Sequence, residues 1–200
     1  MKYQVPYDQH EQLPNRLGLV AAEEITLSEF EGFLRAEIQL TQELTSRTRF
    51  TGRYIQKIHQ LALGHLYTFA GKWRTVNLSK GGFVFAAAQF LPDSMNLFEK
   101  SVLKKLPNRY ADTEQLIDDI AVVHAELLFI HPFREGNGRT ARLLANLMCR
   151  KQGLSALHWE KIEPNPGAKI PFGDYIQAVQ QATGQNYKPM KHIIRAIFPA

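Results

Sequence analysis

His131-Pro132-Phe133-Arg134-Glu135-Gly136-Asn137-Gly138-Arg139-Thr140-Ala141-Arg142 brings a histidine, a carboxylate, two glycines around an asparagine, and two arginines into one short stretch. The residues that follow, to Arg150, set Leu143, Leu144, Leu147 and Met148 on one face at helical spacing. The glycines therefore open a helix. The first turn of a helix has unsatisfied N–H groups, which makes it an anion site. Glycine at 136 and 138 lets that backbone approach an anion closely. Arg139 and Arg142 project from the same side of the first turn. Positive charge there opposes the helix dipole, an arrangement that makes sense when a polyanion sits between the two. Pro132 restricts His131 to extended backbone, so the histidine ends the preceding helix. Phe133 is read as an anchor pointing into the core.

Outward from this stretch the pattern is helical. Thr26-Leu27-Ser28-Glu29 reads as a capping box, and Phe30, Phe33, Leu34, Ile38 and Leu40 continue a helix to about Thr45. A second helix runs from Phe50 to Tyr67, with Ile55, Ile58, Leu61, Ala62 and Leu66. From Trp73 to Phe85 the period changes. Val76 and Leu78 alternate with polar residues, Gly81-Gly82 turns, and Phe83, Val84 and Phe85 follow, which predicts a short hairpin. Pro92 marks the first turn of a helix reaching about Lys105. Thr113 to Ile130 is apolar almost all round and belongs at the centre of a bundle. Pro164, Pro166, Gly167 and Pro171 mark a long connection. Helices over Tyr175–Ala182 and Met190–Phe198 close the chain. Residues 1–14 read as an irregular arm. The fold class is all-α, a helical bundle with a short β-hairpin. Residues 1–200 form a single domain, with the motif loop and helix at 131–150.

The 200 residues have the composition of an ordinary globular domain. No apolar run approaches the ~18 residues of a membrane span, and the stretch Met1 to His10 has no apolar signal core. One cysteine, Cys149, precludes an internal disulfide framework and fits a reducing, cytoplasmic compartment. The net charge of +5 is uneven: residues 1–50 carry 8 acids and 5 bases, and residues 51–100 carry 6 bases and 2 acids. The basic middle is mostly solvated surface, part of which attracts phosphate or an acidic partner. Nucleic acid is not expected as the direct ligand, since no run of clustered bases interleaves with aromatics.

The stretch at 131–142 resembles the Fic family signature His-Pro-Phe-x-(Asp/Glu)-Gly-Asn-Gly-Arg-x-x-Arg at every fixed position. The resemblance reaches from about Leu13 to the C-terminus, more loosely outside the motif. It implies a Fic-type helical bundle and transfer of AMP from ATP to a hydroxyl side chain of a target protein. By resemblance, His131 is the general base, and its ordinary pKa of ~6.5 leaves a neutral fraction at pH 7. Glu135 is the Mg²⁺ ligand, a role suited to a hard ion that takes one or two carboxylates plus phosphate oxygens. Gly136, Asn137 and Gly138 form the anion hole, and Arg139 and Arg142 hold the outer phosphates. The segment from Arg74 to Ala86 is similar to the family's flap, on which an extended target segment adds as a strand. Lys80 and Gly81 sit where that flap approaches nucleotide, and Tyr175 falls in the helix that lines the nucleotide site.

Each residue also has a plainer reading. Glu135 could serve only the helix dipole and Arg142 could be a solvated helix arginine. His124 and His131, two turns apart, could pair on a metal, although no third ligand is near in the sequence and Pro132 breaks the helix at that point. Many Fic proteins carry an inhibitory helix, (Ser/Thr)-x-x-x-Glu-(Gly/Asn), whose glutamate pairs the second motif arginine. No serine or threonine in this chain precedes a glutamate by four residues. Glu31-Gly32 is the near miss. A small separate antitoxin supplying that glutamate is the favoured expectation, with Glu31 as an internal substitute. The rival activities are a different donor, kinase-type phosphoryl transfer, and a non-catalytic nucleotide-binding module. The Doc branch, which phosphorylates its target, has lysine where this chain has Gly138.

Overall fold

The computed structural model describes residues 12–162 and 168–199. The expected irregular arm falls largely outside the described residues, as do Pro164, Pro166 and Gly167 of the expected connection. Seven α-helices are described: α1 Ala22–Glu43, α2 Gly52–Leu63, α3 Leu91–Ser101, α4 Thr113–Ile130, α5 Asn137–Lys151, α6 Phe172–Gln181 and α7 Lys188–Ile197. The described sheet is one hairpin, β1 Ser79–Lys80 against β2 Phe83–Val84.

α4 begins where predicted because Asp112 caps it, its side chain accepting from the Gln115 N–H at 2.8 Å. Its apolar residues point to every side, so it is packed against α3, α5, α6 and α7 at once. That makes it the axis of the core. α5, α2 and α1 stack in turn on one flank. Cys149 is buried in α5, and burial pushes its thiol up to about 12, so it packs as a small apolar group. No helix among the described residues is long and apolar enough to cross a membrane.

Several helices depart from the sequence reading: α3 ends at Ser101, short of Lys105, and α6 begins at Phe172, ahead of Tyr175. α2 is shorter than Phe50–Tyr67; Thr51 caps it through the Tyr54 N–H at 3.1 Å, and Gly64 follows its end. α1 starts at Ala22, a turn before the supposed capping box. Glu29 lies inside the helix and is buried with Ile25, Phe33, Ala36 and Leu40. The sequence sets apolar residues on two faces of α1, and only this one meets α2. Leu27, Phe30, Leu34 and Ile38 therefore form an exposed stripe.

The hairpin is antiparallel, with Ser79 opposite Val84 and Lys80 opposite Phe83. Gly81 (φ 55°) and Gly82 (φ 79°) make the two-residue turn. Both take the left-handed conformation that such a turn requires of its central pair. At its root, Leu78 is buried and its carbonyl accepts from the Phe85 N–H at 3.1 Å.

Candidate active site

His131 is the residue that closes α4. Its N–H still donates to the Leu127 carbonyl at 3.0 Å, while its own backbone is left-handed, with φ 53° and ψ 58°. The extended backbone expected from Pro132 is thus corrected. Proline disfavours the right-handed α region for the residue before it. A helix terminus that keeps its last N–H bond while turning the chain aside selects the left-handed region instead.

Three packed groups hold the loop after His131. Phe133 is fully buried, stacked on the His59 ring at 3.8 Å between centroids, with Trp73 at 5.1 Å. Asn137 closes on the same residue, accepting from the Phe133 N–H at 2.8 Å and donating to its carbonyl at 2.7 Å. The Asn137 side chain is therefore tied to the loop through both its oxygen and its nitrogen. His59 accepts from the Gly71 N–H through Nδ1 at 2.8 Å, which leaves Nε2–H to donate to the Glu135 carbonyl at 2.9 Å. Gly136 turns the chain into α5 at φ 75°, where a Cβ would come within 2.8 Å of the Leu63 side chain.

The His131 ring has a fixed tautomer. Nδ1–H donates to the Leu128 carbonyl at 2.9 Å, so Nε2 is the basic nitrogen of the neutral imidazole. One ring face stacks on Phe85 at 3.8 Å, with planes 18° apart. Burial lowers its pKa to about 4; the Arg74 and Lys80 charges push the same way, and the Leu128 carbonyl and Glu135 push back. The imidazole is neutral at pH 7.

A cavity of about 540 Å³ joins these groups. From the motif it is lined by His131, Glu135, Gly136, Gly138, Arg139 and Arg142; Lys80 and Gly81 come from the hairpin and Tyr175 from α6. Every site residue expected from the sequence except Asn137 therefore borders one space. A Cβ on Gly138 would meet nothing within 4 Å. The protein's own packing leaves that position open.

The two arginines have different settings. Arg139 is paired with Glu29 at 2.6 Å and lies 3.4 Å from Glu135, with its guanidinium 4.9 Å from the Phe33 ring centre. Arg142 lies over Trp159 at 5.3 Å and Tyr175 at 5.8 Å. Tyr175 in turn shares a 2.7 Å hydrogen bond with Nε2 of His124. Nε2 of His124 is thus engaged by Tyr175, and among the described residues no group of three His, Cys, Asp or Glu side chains is placed to hold a metal ion. Glu135 accepts from the Gly136 N–H at 2.8 Å and is buried at the cavity wall. One wall carboxylate suits Mg²⁺, which completes its shell with water and phosphate oxygens.

Sequence reading missed Glu29, His59, Phe85, Trp159 and Arg74. For Glu29 a signal existed: an acid within the apolar series Ile25, Phe33, Ala36 and Leu40. The others carry no local pattern.

Residues 49–149 match the model of the Fic/DOC family. The chain belongs to the Fic/DOC family. It is 37% identical over 139 residues to the protein adenylyltransferase Fic of Nematostella vectensis, covering 68% of this chain and 29% of that protein. It is 29% identical over 133 residues to the protein adenylyltransferase VbhT of Bartonella schoenbuchensis, covering 64% of this chain and 28% of that one. The chain thus spans less than a third of these relatives. The Fic fold itself matches over nearly all of it. The N-terminal FIC domain of Bep8 from Bartonella sp. 1-1C superposes with a TM-score of 0.76 at 18% identity, over 96% of this chain and 93% of that one. BepC from Bartonella tribocorum, solved with bound AMPPNP, gives a TM-score of 0.75 at 19% identity, over 97% and 96%.

Proposed function

We propose that this chain is a protein adenylyltransferase that moves AMP from ATP to a Ser, Thr or Tyr hydroxyl of a target protein. One observation carries the reading: a neutral imidazole with its basic nitrogen defined borders the same cavity as the first turn of α5 and its arginines. The hydroxyl oxygen bonds to the α-phosphorus, the bond from that phosphorus to the bridging oxygen breaks, and pyrophosphate leaves. Nε2 of His131 takes the hydroxyl proton. The backbone N–H groups at Gly136, Asn137 and Gly138 receive the α-phosphate, and Arg139 and Arg142 the outer phosphates. Glu135 holds Mg²⁺, which neutralises charge on the phosphates when bound. The work is mainly positioning and charge stabilisation. Gly138 supports AMP transfer over the kinase-type alternative, since the open space beside it is where that branch has a lysine side chain.

The 74–86 hairpin is the docking edge for an extended target segment. A small antitoxin that supplies an inhibitory glutamate is the second partner. The exposed stripe Leu27, Phe30, Leu34 and Ile38 supports a helical seat for it, because the same helix gives Thr26 and Glu29 to the cavity wall. Purified chain incubated with α-labelled or γ-labelled ATP tests the reading. Label from the α-phosphate alone is expected, and its loss in chelator reports the Mg²⁺. Label from the γ-phosphate alone would replace AMP transfer with a kinase.

A further inference from the structure

Arg74 is buried to 4% exposure, and no role in the chemistry above uses it. Its guanidinium donates to three main-chain carbonyls: Nε to His131 at 2.8 Å, Nη1 to Val76 at 2.6 Å and Nη2 to Ala86 at 2.6 Å. Its backbone N–H donates to the Pro132 carbonyl at 2.8 Å. Val76 lies on the arm leading into the hairpin and Ala86 on the arm leading out. One planar fork therefore ties both roots of the hairpin to the carbonyl of the left-handed residue that carries the imidazole. Phe85, next to Ala86, supports the other end of that residue by stacking on its ring.

We infer that Arg74 is a positioning residue that couples the hairpin to His131, so that a target strand docked on the hairpin and the base that serves it move as one body. Without it the buried His131 carbonyl loses its donor, which is costly, and the half-buried Val76 and Ala86 carbonyls are no longer held to it or to each other. Lysine cannot replace the clamp, because a single ammonium on a flexible stem does not present a flat fork to three acceptors. The link itself stands on hydrogen bonds; its consequence for transfer rests on the adenylyltransferase reading.

Arg74→Lys and Arg74→Gln, each first checked for a cooperative melt, test it with two readouts. The first is amide exchange. Both variants are expected to speed exchange together, by about tenfold or more, at the Phe85 amide in the hairpin root and the His131 amide at the end of α4, leaving α5 unchanged. The second is self-labelling with α-labelled ATP. Its maximal rate should fall by about tenfold or more, while the ATP concentration at half-maximal rate stays within about threefold. Faster exchange in the hairpin alone, an unchanged maximal rate in a folded variant, or an equal change in both kinetic quantities would overturn the coupling. Failure of both variants to fold would also overturn it, making Arg74 a residue of the fold as a whole. Should wild type take no label from ATP, the transferase reading fails and the exchange data still decide the link.

Discussion

The carboxylate of Glu29 stands 2.6 Å from the guanidinium of Arg139, joining α1 to the first turn of α5. The Tyr67 hydroxyl donates to the other Glu29 oxygen at 2.8 Å, so the carboxylate is held in place. An arginine assigned to phosphate thus already has a fixed anionic partner. Bound phosphate and Glu29 carry the same sign of charge and compete for one cation.

Glu29→Gln keeps a hydrogen-bond acceptor for Tyr67 and removes the competing charge. Affinity for ADP in chelator should rise by about tenfold, which needs only ~1.4 kcal/mol. Calorimetric titration measures it; weaker binding would mean that Glu29 instead holds Arg139 in its productive pose.

Glu31 is the sequence candidate for an internal plug. It is 54% exposed at its side chain and pairs with Arg35 at 3.6 Å, one turn along α1. Arg142 has aromatic rings on it rather than that carboxylate. Glu31→Gly should leave self-labelling within about twofold and cost ~1 kcal/mol of stability as a helix-interior glycine. A gain above about tenfold would restore Glu31 as the plug.

His131→Ala should lower transfer by ~10²–10⁴-fold while ATP still binds. As the proposed base His131 would act when neutral, and its pKa is lowered by burial to about 4. Rate against pH should therefore stay level from pH 8 down to about 5 and fall only below that. An inflection near 6.5 would show an imidazole bathed in water.

Stability should depend on acid more steeply than rate does. His59, His124 and His131 are buried and held neutral, with pKa values lowered by burial to about 4, about 3 and about 4. Unfolded, each returns to ~6.5 and binds a proton there. Their contribution is fully present above pH ~6.5 and is lost as pH falls toward 4. Urea unfolding should show lower stability at about pH 5 than at about pH 7.5, with each histidine contributing on the order of 1–2 kcal/mol to the difference. Equal midpoints would contradict neutral burial of all three.

What can be read from the sequence is what is local. Gly81-Gly82 marks the hairpin and the run from Thr113 to Ile130 marks α4, because turn chemistry and periodicity act over a few residues. The cavity wall from His131 to Arg142 is legible for the same reason. The start of α1 is not, because apolar residues cover two of its faces, and Thr26 and Glu29 have capping-box spacing inside a helix. The aromatic setting of Arg142 is not legible either. His124, Trp159 and Tyr175 meet only after α4, α5 and α6 have packed. His131 is a local failure: two rules bear on its backbone, and the helix-end rule prevails over the proline rule alone.

That left-handed backbone at His131 sets activity against stability. With a φ of 53° the position favours glycine or asparagine over any other residue. Burying the imidazole there adds a second cost. Selection for a sturdier protein, acting alone, would disfavour histidine at this position. On the proposed role, a histidine at such a site is maintained by proton transfer rather than by stability, and a lineage released from that reaction has a downhill path to a more stable, silent fold.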